Sequence, residues 1–307
     1  MTTVRERVWD AGHPLDLRVT LGPLRRGTAD PAHRFDASGR FWRACLTPDG
    51  AGTIAVSAVG PQVTAHAWGP GADWLLEGVP TLLGRDDDWS GLDVSAVRAL
   101  HETHRRRRGL RLVRTNLVLD ALVPAVLEQK VTGLEARRSW RTLLHRFGAP
   151  APGPEAEVGG MRVPPCAQGL RDIPSFEWHR LGVDLKRQRA IRAAAGVAGR
   201  LEECAAMSHE DAARRLQLIP GIGVWTAAET TQRALGDPDA VSVGDYHLKN
   251  MVVHLLTGRP RGTDEEMVAL LSAWPGQRQR VMRLIELTGI AAPRYGPRFN
   301  FTDIRRI

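Results

Sequence analysis

The segment Leu216–Ala227 contains a Pro-Gly-Ile-Gly turn between two stretches whose apolar residues keep helical spacing. Gly221 and Gly223 lack a Cβ, so the backbone of this turn can come close to a partner. The N–H groups at the start of the second helix, which opens at Val224, have no helical acceptor and carry partial positive charge. The turn therefore predicts a seat for an anion, most simply a phosphate. Taken alone, the same turn is also typical of an ordinary connection between two helices.

The turn is part of a longer pattern, which continues in Arg233–Gly236 and Gly244–Lys249. The whole pattern resembles the helix-hairpin-helix (HhH-GPD) DNA glycosylase superfamily, and within it the 3-methyladenine DNA glycosylase II (AlkA) type. The resemblance extends over about residues 112–290 and covers the earlier residues only loosely. It implies that the hairpin grips the DNA backbone. The DNA contacts that it implies in the hairpin are Gly221, Ile222, Gly223 and Thr226.

An aspartate, Asp245, follows the hairpin within this pattern. In the resembling superfamily the aspartate at this place acts at the sugar, where a carboxylate stabilises the positive charge that develops as the N-glycosidic bond breaks. The resemblance therefore implies that Asp245 is catalytic. An aspartate just before a helix, here one predicted to begin at Tyr246, is also a common N-cap. Both roles are compatible.

Trp225 occupies the position at which relatives that also cut the strand carry a lysine, whose amine forms a Schiff base with the sugar. An indole cannot form this bond. The resemblance therefore implies a monofunctional enzyme, in which water completes the hydrolysis and an abasic site is the product. The side chain of Trp225 is expected either in the wall of the base pocket or in the core beneath the hairpin.

The base pocket implied by the resemblance departs from the AlkA pattern. Trp225 and Tyr246 stand at family aromatic positions, and aromatic faces attract cationic alkylated bases. Glu229 and Glu286 stand where two further aromatics are expected. Pro23 stands at another aromatic position, in the loosely resembling first part of the chain. The sequence therefore indicates the family more clearly than it indicates the base that is removed.

The two glutamates have two possible roles. Facing the pocket, Glu229 and Glu286 attract a cationic base by charge, bind exocyclic groups by hydrogen bonds, or select a different lesion. Because neighbouring like charges raise each other's pKa, at least one carboxyl among these two and Asp245 is then expected to be protonated. Alternatively, Glu229 forms an ordinary surface ion pair with Arg233, four residues later on the same helix.

Gln129 and Lys130 end a predicted helix at positions that face DNA in the resembling family. There, the residue after the glutamine is an apolar wedge that fills the gap left by the flipped nucleotide. The stem of Lys130 can fill that gap while its ammonium reaches a phosphate or base edge. Gln129 is expected to contact the opposite base. The alternatives for Lys130 are an exposed lysine at a helix end and the nucleophile of a bifunctional glycosylase/lyase.

This chemistry requires no cofactor. The three cysteines are too far apart for the four-cysteine iron–sulfur loop of the endonuclease III relatives. They are Cys45, Cys166 and Cys204. The resemblance implies one structural ion, a monovalent cation held at the hairpin by backbone carbonyls. The carbonyls are those of Gln217, Ile219 and Gly221.

Composition limits the class of protein. A chain of 307 residues with 43% hydrophobic and 25% charged residues is typical of a globular protein of about two domains. The net charge of +8 favours a polyanionic partner. No apolar run is long enough to cross a membrane, and Met1–Asp16 contains no signal-peptide core. We therefore expect a cytoplasmic, nucleoid-associated monomer that binds double-stranded DNA containing damaged bases, and no membrane.

Local patterns divide the chain into two parts. Short β-branched or aromatic runs at residues 40–46, 53–59 and 62–68 favour an antiparallel sheet, with a helix near 73–83 to cover it. Helical spacing dominates after about residue 110. The predicted helices are 116–131, 135–147, 187–198, 209–218, 224–235, 246–256, 264–273 and 277–287.

The sequence thus predicts an α+β fold. A small AlkA-like domain with an antiparallel sheet covers 1–110, and an all-α helix-hairpin-helix glycosylase region covers 111–307. A basic linker at about 101–111 is either a solvated loop or a phosphate contact, and a Pro/Gly-rich loop covers 149–166.

These residues together predict a monofunctional DNA glycosylase that excises alkylated or otherwise damaged bases in base excision repair. The main alternative from another class is a helix-hairpin-helix protein that binds DNA without catalysis. Such a protein would need the hairpin and the positive charge but not Asp245.

Overall fold

A computed structural model of the chain describes residues 4–293. Its first part contains a five-stranded antiparallel sheet with the strand order β1-β5-β4-β3-β2. The strands are β1 Arg5–Asp10, β2 His33–Phe35, β3 Phe41–Thr47, β4 Gly50–Val59 and β5 Gln62–Trp68. The predicted sheet is confirmed, and β1 and β2 are edge strands that the sequence patterns did not indicate.

Helices cover the sheet and make up most of the rest of the described chain, which confirms the predicted fold class. The first eight are α1 Leu17–Leu21, α2 Ala72–Glu77, α3 Val79–Leu82, α4 Arg98–Arg106, α5 Val118–Leu127, α6 Gly133–Phe147, α7 Glu155–Val158 and α8 Ala167–Asp172. The second eight are α9 Ser175–Arg180, α10 Leu185–Gly196, α11 Ala198–Glu202, α12 His209–Gln217, α13 Val224–Ala234, α14 Leu248–Thr257, α15 Asp264–Leu271 and α16 Arg278–Leu287.

Both faces of the five-stranded sheet are covered, which explains why β3 and β4 are buried over most of their length. On one face, α2 and α3 pack against alternate residues such as Ile54 and Val56. On the other face, Trp42 and Trp68 stack with 5.5 Å between ring centroids and contact Val158 of α7. The predicted loop at 149–166 therefore contains α7 between two short paired strands. These are β6 Ala149–Pro150 and β7 Arg162–Val163.

Helix α5 lies at the centre of the helical part. All of its ten residues except Asp120 are apolar and eight of them are buried, as expected of an interior helix. It contacts α13, the helix that follows the glycine turn, and also α10. The spacing of apolar residues predicts a longer helix over 116–131, but Asn116 and Lys130 have left-handed backbone conformations, with φ of 51° and 54°. These conformations limit α5 at both ends.

The basic stretch predicted as a linker at 101–111 is partly helical. Helix α4 runs through Arg106, with Leu100 and Thr103 buried, and packs against α16. The burial of these two side chains explains why the segment is helical, although its run of arginines is typical of a loop. The division of the chain into domains near residue 110 stays a prediction.

Within residues 4–293, no helix has both the length and the apolar character needed to cross a membrane.

Candidate functional site

The turn predicted to bind a phosphate is a tight hairpin between α12 and α13. Gly221 has a φ of 90°, in the left-handed region that favours glycine. A Cβ added at Gly221 would lie 2.9 Å from the Cβ of Ala190 in α10, so glycine is required here on two grounds. Gly223 differs, because its backbone is extended and no atom lies within 4 Å of the place where a Cβ would be.

The first turn of α13 leaves its backbone donors free. The first helical hydrogen bond runs from Ala227 N to Gly223 O, at 3.0 Å. The N–H groups of Val224, Trp225 and Thr226 have no acceptor among residues 4–293. Free N–H groups at the positive end of a helix, next to two exposed glycines, supply the geometry of the predicted anion seat.

Two residues predicted to contact DNA have buried side chains. Ile222 packs into the helical core and its N–H donates to Ile219 O at 3.0 Å. Thr226 is also buried, and its hydroxyl accepts a hydrogen bond from Gln129 at 2.8 Å. Both side chains therefore stabilise the hairpin from inside, and the predicted DNA contacts of these two residues stay predictions that do not involve their side chains. Any contact of Thr226 with a phosphate is left to its backbone N–H.

Gln129 connects the hairpin with the turn that follows α5. Its amide nitrogen donates to Gly221 O at 2.9 Å and to the hydroxyl of Thr226. Both amide hydrogens are thereby used, so the predicted contact with an opposite base is left to the amide oxygen. This connection between the two predicted DNA contacts has no counterpart in the sequence pattern.

Lys130 is exposed directly after Gln129, with its backbone in the left-handed conformation. A lysine in this conformation costs about 1 kcal/mol more than a glycine would. Backbone strain of this kind is frequent at functional sites. The exposed position agrees with the predicted wedge, whose role stays a prediction.

The predicted cation site consists of three backbone carbonyls near the hairpin. Ile219 O accepts from Ile222 N, and Gly221 O accepts from Gln129. A carbonyl oxygen has two lone pairs, so each of these oxygens keeps one for an ion. Ile219 O and Gly221 O thus keep the capacity to bind an ion, and the monovalent cation at the carbonyls of Gln217, Ile219 and Gly221 stays a prediction.

Asp245 lies just before α14 and caps it. Its Oδ1 accepts from the N–H groups of His247, at 2.7 Å, and Leu248, at 2.8 Å. The helix begins at Leu248 rather than at Tyr246, and its N-cap position is His247, so Asp245 caps the helix by hydrogen bonds from outside it and not from the predicted N-cap position. Among residues 4–293, Oδ2 has no hydrogen-bond donor, so one oxygen of this carboxylate is open to a ligand.

The segment before Asp245 is fixed to α13 by a buried serine. The carbonyl of Ser242 accepts from Asp245 N at 3.2 Å. Its hydroxyl accepts from the amide of Gln232 at 3.0 Å and donates to Glu229 Oε1 at 2.6 Å. The position of the predicted catalytic carboxylate therefore depends on two side chains of α13.

The two aromatic residues predicted for the pocket are both accessible. Trp225 is half-buried in the first turn of α13, whereas the core residue Trp178 is fully buried. Tyr246 is 68% exposed, and its ring meets the ring of His247 edge-on at 4.9 Å. Trp225 is thus not an ordinary core tryptophan, and both rings are available to a ligand.

Glu229 forms a buried ion pair with Arg233, one turn further along α13. The Nη1 of Arg233 lies 2.8 Å from Oε2 of Glu229, and the two side chains are only 14% and 13% exposed. The sequence therefore predicts the correct partner but the wrong environment. Arg233 Nε also donates to the carbonyl of Pro23 at 3.0 Å. This contact places Pro23, the predicted pocket position in the first part of the chain, directly beside α13.

Glu229 is stabilised in its ionised form. Burial alone raises the pKa of Glu229, but the charge of Arg233, the hydrogen bond from Ser242 and the charge of Arg26 together lower it below its ordinary value. Burial alone lowers the pKa of Arg233, and neighbouring carboxylates, Glu229 first among them, raise it above its ordinary value. The lowered pKa of Glu229 means that Glu229 is not the protonated carboxyl expected among the three.

A second ion pair, which the sequence analysis did not indicate, adjoins the first. Nη1 of Arg26 lies 2.9 and 3.0 Å from the two carboxylate oxygens of Glu128. The backbone of Arg26 is itself held, because its N–H donates to Asp30 at 2.6 Å. We call Arg26, Glu128, Glu229 and Arg233 the charged quartet. In the sequence, the second pair is indicated only by its closeness to predicted site residues. Glu128 directly precedes Gln129, and Arg26 follows Pro23 by three residues.

Glu286 lies at the margin of the charged quartet. Its carboxylate pairs with Arg283 on the same helix, α16, and its side chain is 41% exposed. Its charge contributes to the raised pKa of Arg233. Glu286 is therefore close to the predicted pocket, but it is already neutralised by an arginine of its own helix.

Comparison with known proteins supports the resemblance seen in the sequence. No protein-family model matches the chain. A curated relative from Mycobacterium tuberculosis, described as a probable bifunctional transcriptional activator/DNA repair enzyme AlkA, is 32% identical over 143 residues. The match covers 46% of this chain, and it spans only 28% of the length of that relative.

Solved structures match over nearly the whole chain. The 3-methyladenine DNA glycosylase of Archaeoglobus fulgidus has a TM-score of 0.72 at 15% identity, covering 92% of this chain and 98% of that one. The 8-oxoguanine glycosylase/lyase of Clostridium acetobutylicum, in complex with double-stranded DNA, has a TM-score of 0.69 at 10% identity, covering 94% and 96%. The chain therefore has the fold of the helix-hairpin-helix DNA glycosylases, the superfamily that its hairpin sequence resembles.

Proposed function

We propose that this chain is a monofunctional DNA glycosylase of base excision repair. It flips a damaged base out of the double helix, hydrolyses the N-glycosidic bond and leaves an abasic site. The observation that carries the proposal is the geometry of Asp245, whose Oδ1 is held by two backbone N–H groups while Oδ2 is open. The fold of the DNA glycosylases and the name of the curated relative support it.

The hairpin binds the phosphate backbone of DNA. A phosphate accepts hydrogen bonds from the free N–H groups of Val224, Trp225 and Thr226 at the positive end of α13. These contacts involve no base, so they fix the position of the protein on any duplex. The net charge of +8 strengthens binding at low salt.

Base release depends on the open oxygen of Asp245. As the N-glycosidic bond breaks, positive charge develops on the sugar, and a fixed carboxylate stabilises that charge more than it stabilises the substrate. Because Oδ1 is held by α14 and Ser242 holds the preceding backbone, little reorganisation is needed when the charge appears. Water then adds to the sugar and the free base departs.

Trp225 supports a monofunctional reaction. It occupies the position of the Schiff-base lysine of the resembling lyases, and its indole cannot attack the sugar. Lys130 is the exposed lysine next to the hairpin, so a lyase reaction through this residue is the alternative that must be tested.

The test uses duplex DNA treated with a methylating agent and a panel of duplexes that each contain one damaged base. Free base is measured by chromatography, and strand breaks are measured on a gel with and without alkali. We expect free base, with strand breaks only after alkali. Breaks without alkali that disappear in Lys130→Ala would instead establish a lyase. Tight binding without release of any base would establish a DNA-binding protein without catalysis.

A further inference from the structure

The segment before Asp245 is attached to α15 as well as to α13. The N–H of Gly244 donates to Oδ1 of Asp264 at 3.0 Å, and Asp264 is the first residue of α15. Gly244 directly precedes Asp245 in the chain. The carboxylate of Asp264 therefore holds the backbone immediately before the predicted catalytic residue.

The other carboxylate oxygen of Asp264 forms an ion pair with Lys249, which lies in the first turn of α14. Nζ of Lys249 is 3.0 Å from Oδ2 of Asp264, and the two side chains are only 27% and 22% exposed. One oxygen of Asp264 thus binds the segment before α14, and the other binds α14 itself. The side chain of Asp264 therefore restricts the position of this segment relative to the helix that Asp245 caps.

Asp264 is itself held in place by the first turn of α15. That turn has a complete capping box, in which the side chains of Thr263 and Glu266 each accept from the backbone N–H of the other residue. Met267 of the same helix is fully buried, in a core that it shares with Val252 of α14. The helix therefore gives Asp264 a defined position from which to bind the segment.

Gly244 needs a partner of this kind to keep a single conformation. Its φ is 95°, in the left-handed region, and no atom of the described chain lies within 4 Å of the place where a Cβ would be. Glycine adopts many backbone conformations at little cost, so steric contacts alone do not hold this residue. The hydrogen bond to Asp264 is charge-assisted, because its acceptor is a carboxylate. It restricts the peptide group before Asp245 and thereby the direction of the open oxygen Oδ2.

We propose that Asp264 is a positioning residue, which acts through Gly244 to hold Asp245 in its productive orientation. The inference rests on the proposed glycosylase function. Ser242 attaches the segment to α13, Asp264 attaches it to α15, and α14 holds Oδ1 of Asp245. A carboxylate held from three helices needs little reorganisation when positive charge develops on the sugar. Lys249 offsets the negative charge that Asp264 adds beside this carboxylate.

The experiment compares variants that keep or remove the acceptor for the N–H of Gly244. Asp264→Ala removes both the hydrogen bond and the ion pair. The double variant Lys249→Met/Asp264→Asn removes the ion pair but keeps an amide oxygen that can accept from Gly244. The substrate is the duplex from which the wild type releases its base fastest. Single-turnover rates at saturating protein and binding to the same duplex are measured separately, well below the unfolding temperature of each variant.

Arg259→Met is the matched control. Arg259 follows α14, and its Nη1 lies 2.8 Å from Oε1 of Glu266 in α15. This ion pair also joins α15 to the chain of α14, but at the opposite end of α14 from Asp245. Denaturant unfolding of every variant measures the stability that each change costs, so that a loss of stability is distinguished from a loss of positioning.

We expect Asp264→Ala to lower the rate of base release about tenfold with little change in binding, because a misplaced catalytic group slows the reaction without removing contacts to DNA. The double variant should recover most of that rate, and Arg259→Met should keep the wild-type rate. A wild-type rate in Asp264→Ala would overturn the inference, as would a double variant as slow as Asp264→Ala. Either result would leave the proposed function standing, whereas no release of any base by the wild type would overturn both.

Amide hydrogen exchange tests the contact in the wild type itself, and so it decides the question even if Asp264→Ala does not fold. We expect the N–H of Gly244 to exchange more slowly than a free amide, because the carboxylate of Asp264 accepts it. Exchange of this N–H at the rate of a free amide would overturn the inference.

Discussion

The hydroxyl of Ser242 donates to Glu229 at 2.6 Å, while the backbone of the same serine holds the N–H of Asp245 at 3.2 Å. Two carboxylates with different tasks are thereby joined through one buried residue. Glu229 is ionised and paired in the interior, and Asp245 has one open oxygen. Changes at Glu229 are therefore expected to alter both the pocket and the position of Asp245.

Asp245→Asn is expected to abolish base release while folding and DNA binding are kept. The amide oxygen of asparagine can still accept from the N–H groups of His247 and Leu248, so α14 keeps its cap. The negative charge is lost, and release should fall by about 100-fold or more. Single-turnover kinetics and a binding titration with the same duplex measure the two effects. Near-wild-type release would leave Asp245 with a capping role only.

Comparison of Asp245→Ala with Asp245→Asn separates the effect of the capping hydrogen bonds from the effect of the negative charge. The alanine variant removes both, so we expect the same loss of base release together with a loss of stability of about 1 kcal/mol. Denaturant unfolding of the two variants gives the comparison. Equal stability of the alanine and asparagine variants would show that the capping bonds contribute little.

Gly221→Ala and Gly223→Ala are expected to differ, although both glycines belong to the same turn. The Gly221 variant combines a positive φ with a 2.9 Å contact to Ala190. It should lose about 1–2 kcal/mol of stability and bind damaged and undamaged duplexes less tightly. The Gly223 variant meets no steric obstacle and should keep its stability. Thermal unfolding and binding titrations measure both. A loss confined to damaged DNA would contradict a phosphate contact at the hairpin.

Lys130→Gly is expected to lower base release without destabilising the protein. Glycine adopts the left-handed conformation of residue 130 without strain, so stability should stay equal or rise by up to about 1 kcal/mol. The side chain predicted to fill the gap beside a flipped base is removed. Release from a matched duplex should therefore fall more than release from single-stranded DNA, in which no stacked partner has to be replaced. Equal effects on both substrates would exclude a wedge at Lys130.

Glu229→Gln is expected to make stability less dependent on acid pH. The pKa of Glu229 is lowered below its ordinary value of 4.5 in the folded protein. Its ion pair therefore contributes stability above that value and loses it as pH falls through the lower folded-state pKa. The variant should be less stable than the wild type by about 3 kcal/mol near neutral pH, and the difference should shrink below about pH 4.5.

Glu286→Gln is the matched control for this acid dependence. Its carboxylate is 41% exposed and pairs with Arg283 of its own helix. An exposed pair contributes at most about 1 kcal/mol, so we expect little change in stability at any pH. Denaturant unfolding at neutral and acid pH measures both glutamine variants. A constant difference between the Glu229 variant and the wild type would mean that this carboxylate is not held ionised by its partners.

The sequence predicted the parts of the fold that local patterns encode. Short runs of β-branched or aromatic residues indicated the three central strands, and the Pro-Gly-Ile-Gly turn indicated the hairpin between α12 and α13. The edge strand Arg5–Asp10 was missed because its residues are mostly exposed and carry no alternating core pattern. Its pairing with β5 connects residues more than fifty positions apart, which a local pattern cannot show.

The residues of the candidate site could be named from the motif, but the contacts between their side chains could not be predicted. The motif identified Glu229 as a pocket position and Arg233 as its possible partner. Nothing local joins Arg26 to Glu128, which are 102 residues apart, or Ser242 to Glu229. The lowered pKa of Glu229 follows from these distant contacts, so the sequence alone left open whether Glu229 faces the pocket or forms an ion pair with Arg233.

The amide of Gln129 donates to both Gly221 and Thr226, and so it joins the hairpin to the turn that contains Lys130. The backbone donors proposed to hold a phosphate and the exposed turn of Lys130 are therefore joined directly, which restricts the separation between them. Under the proposed function, a phosphate bound at the hairpin would place the neighbouring nucleotide at a fixed distance from Lys130. A glutamine that does no chemistry would then set the register in which a strand is inspected.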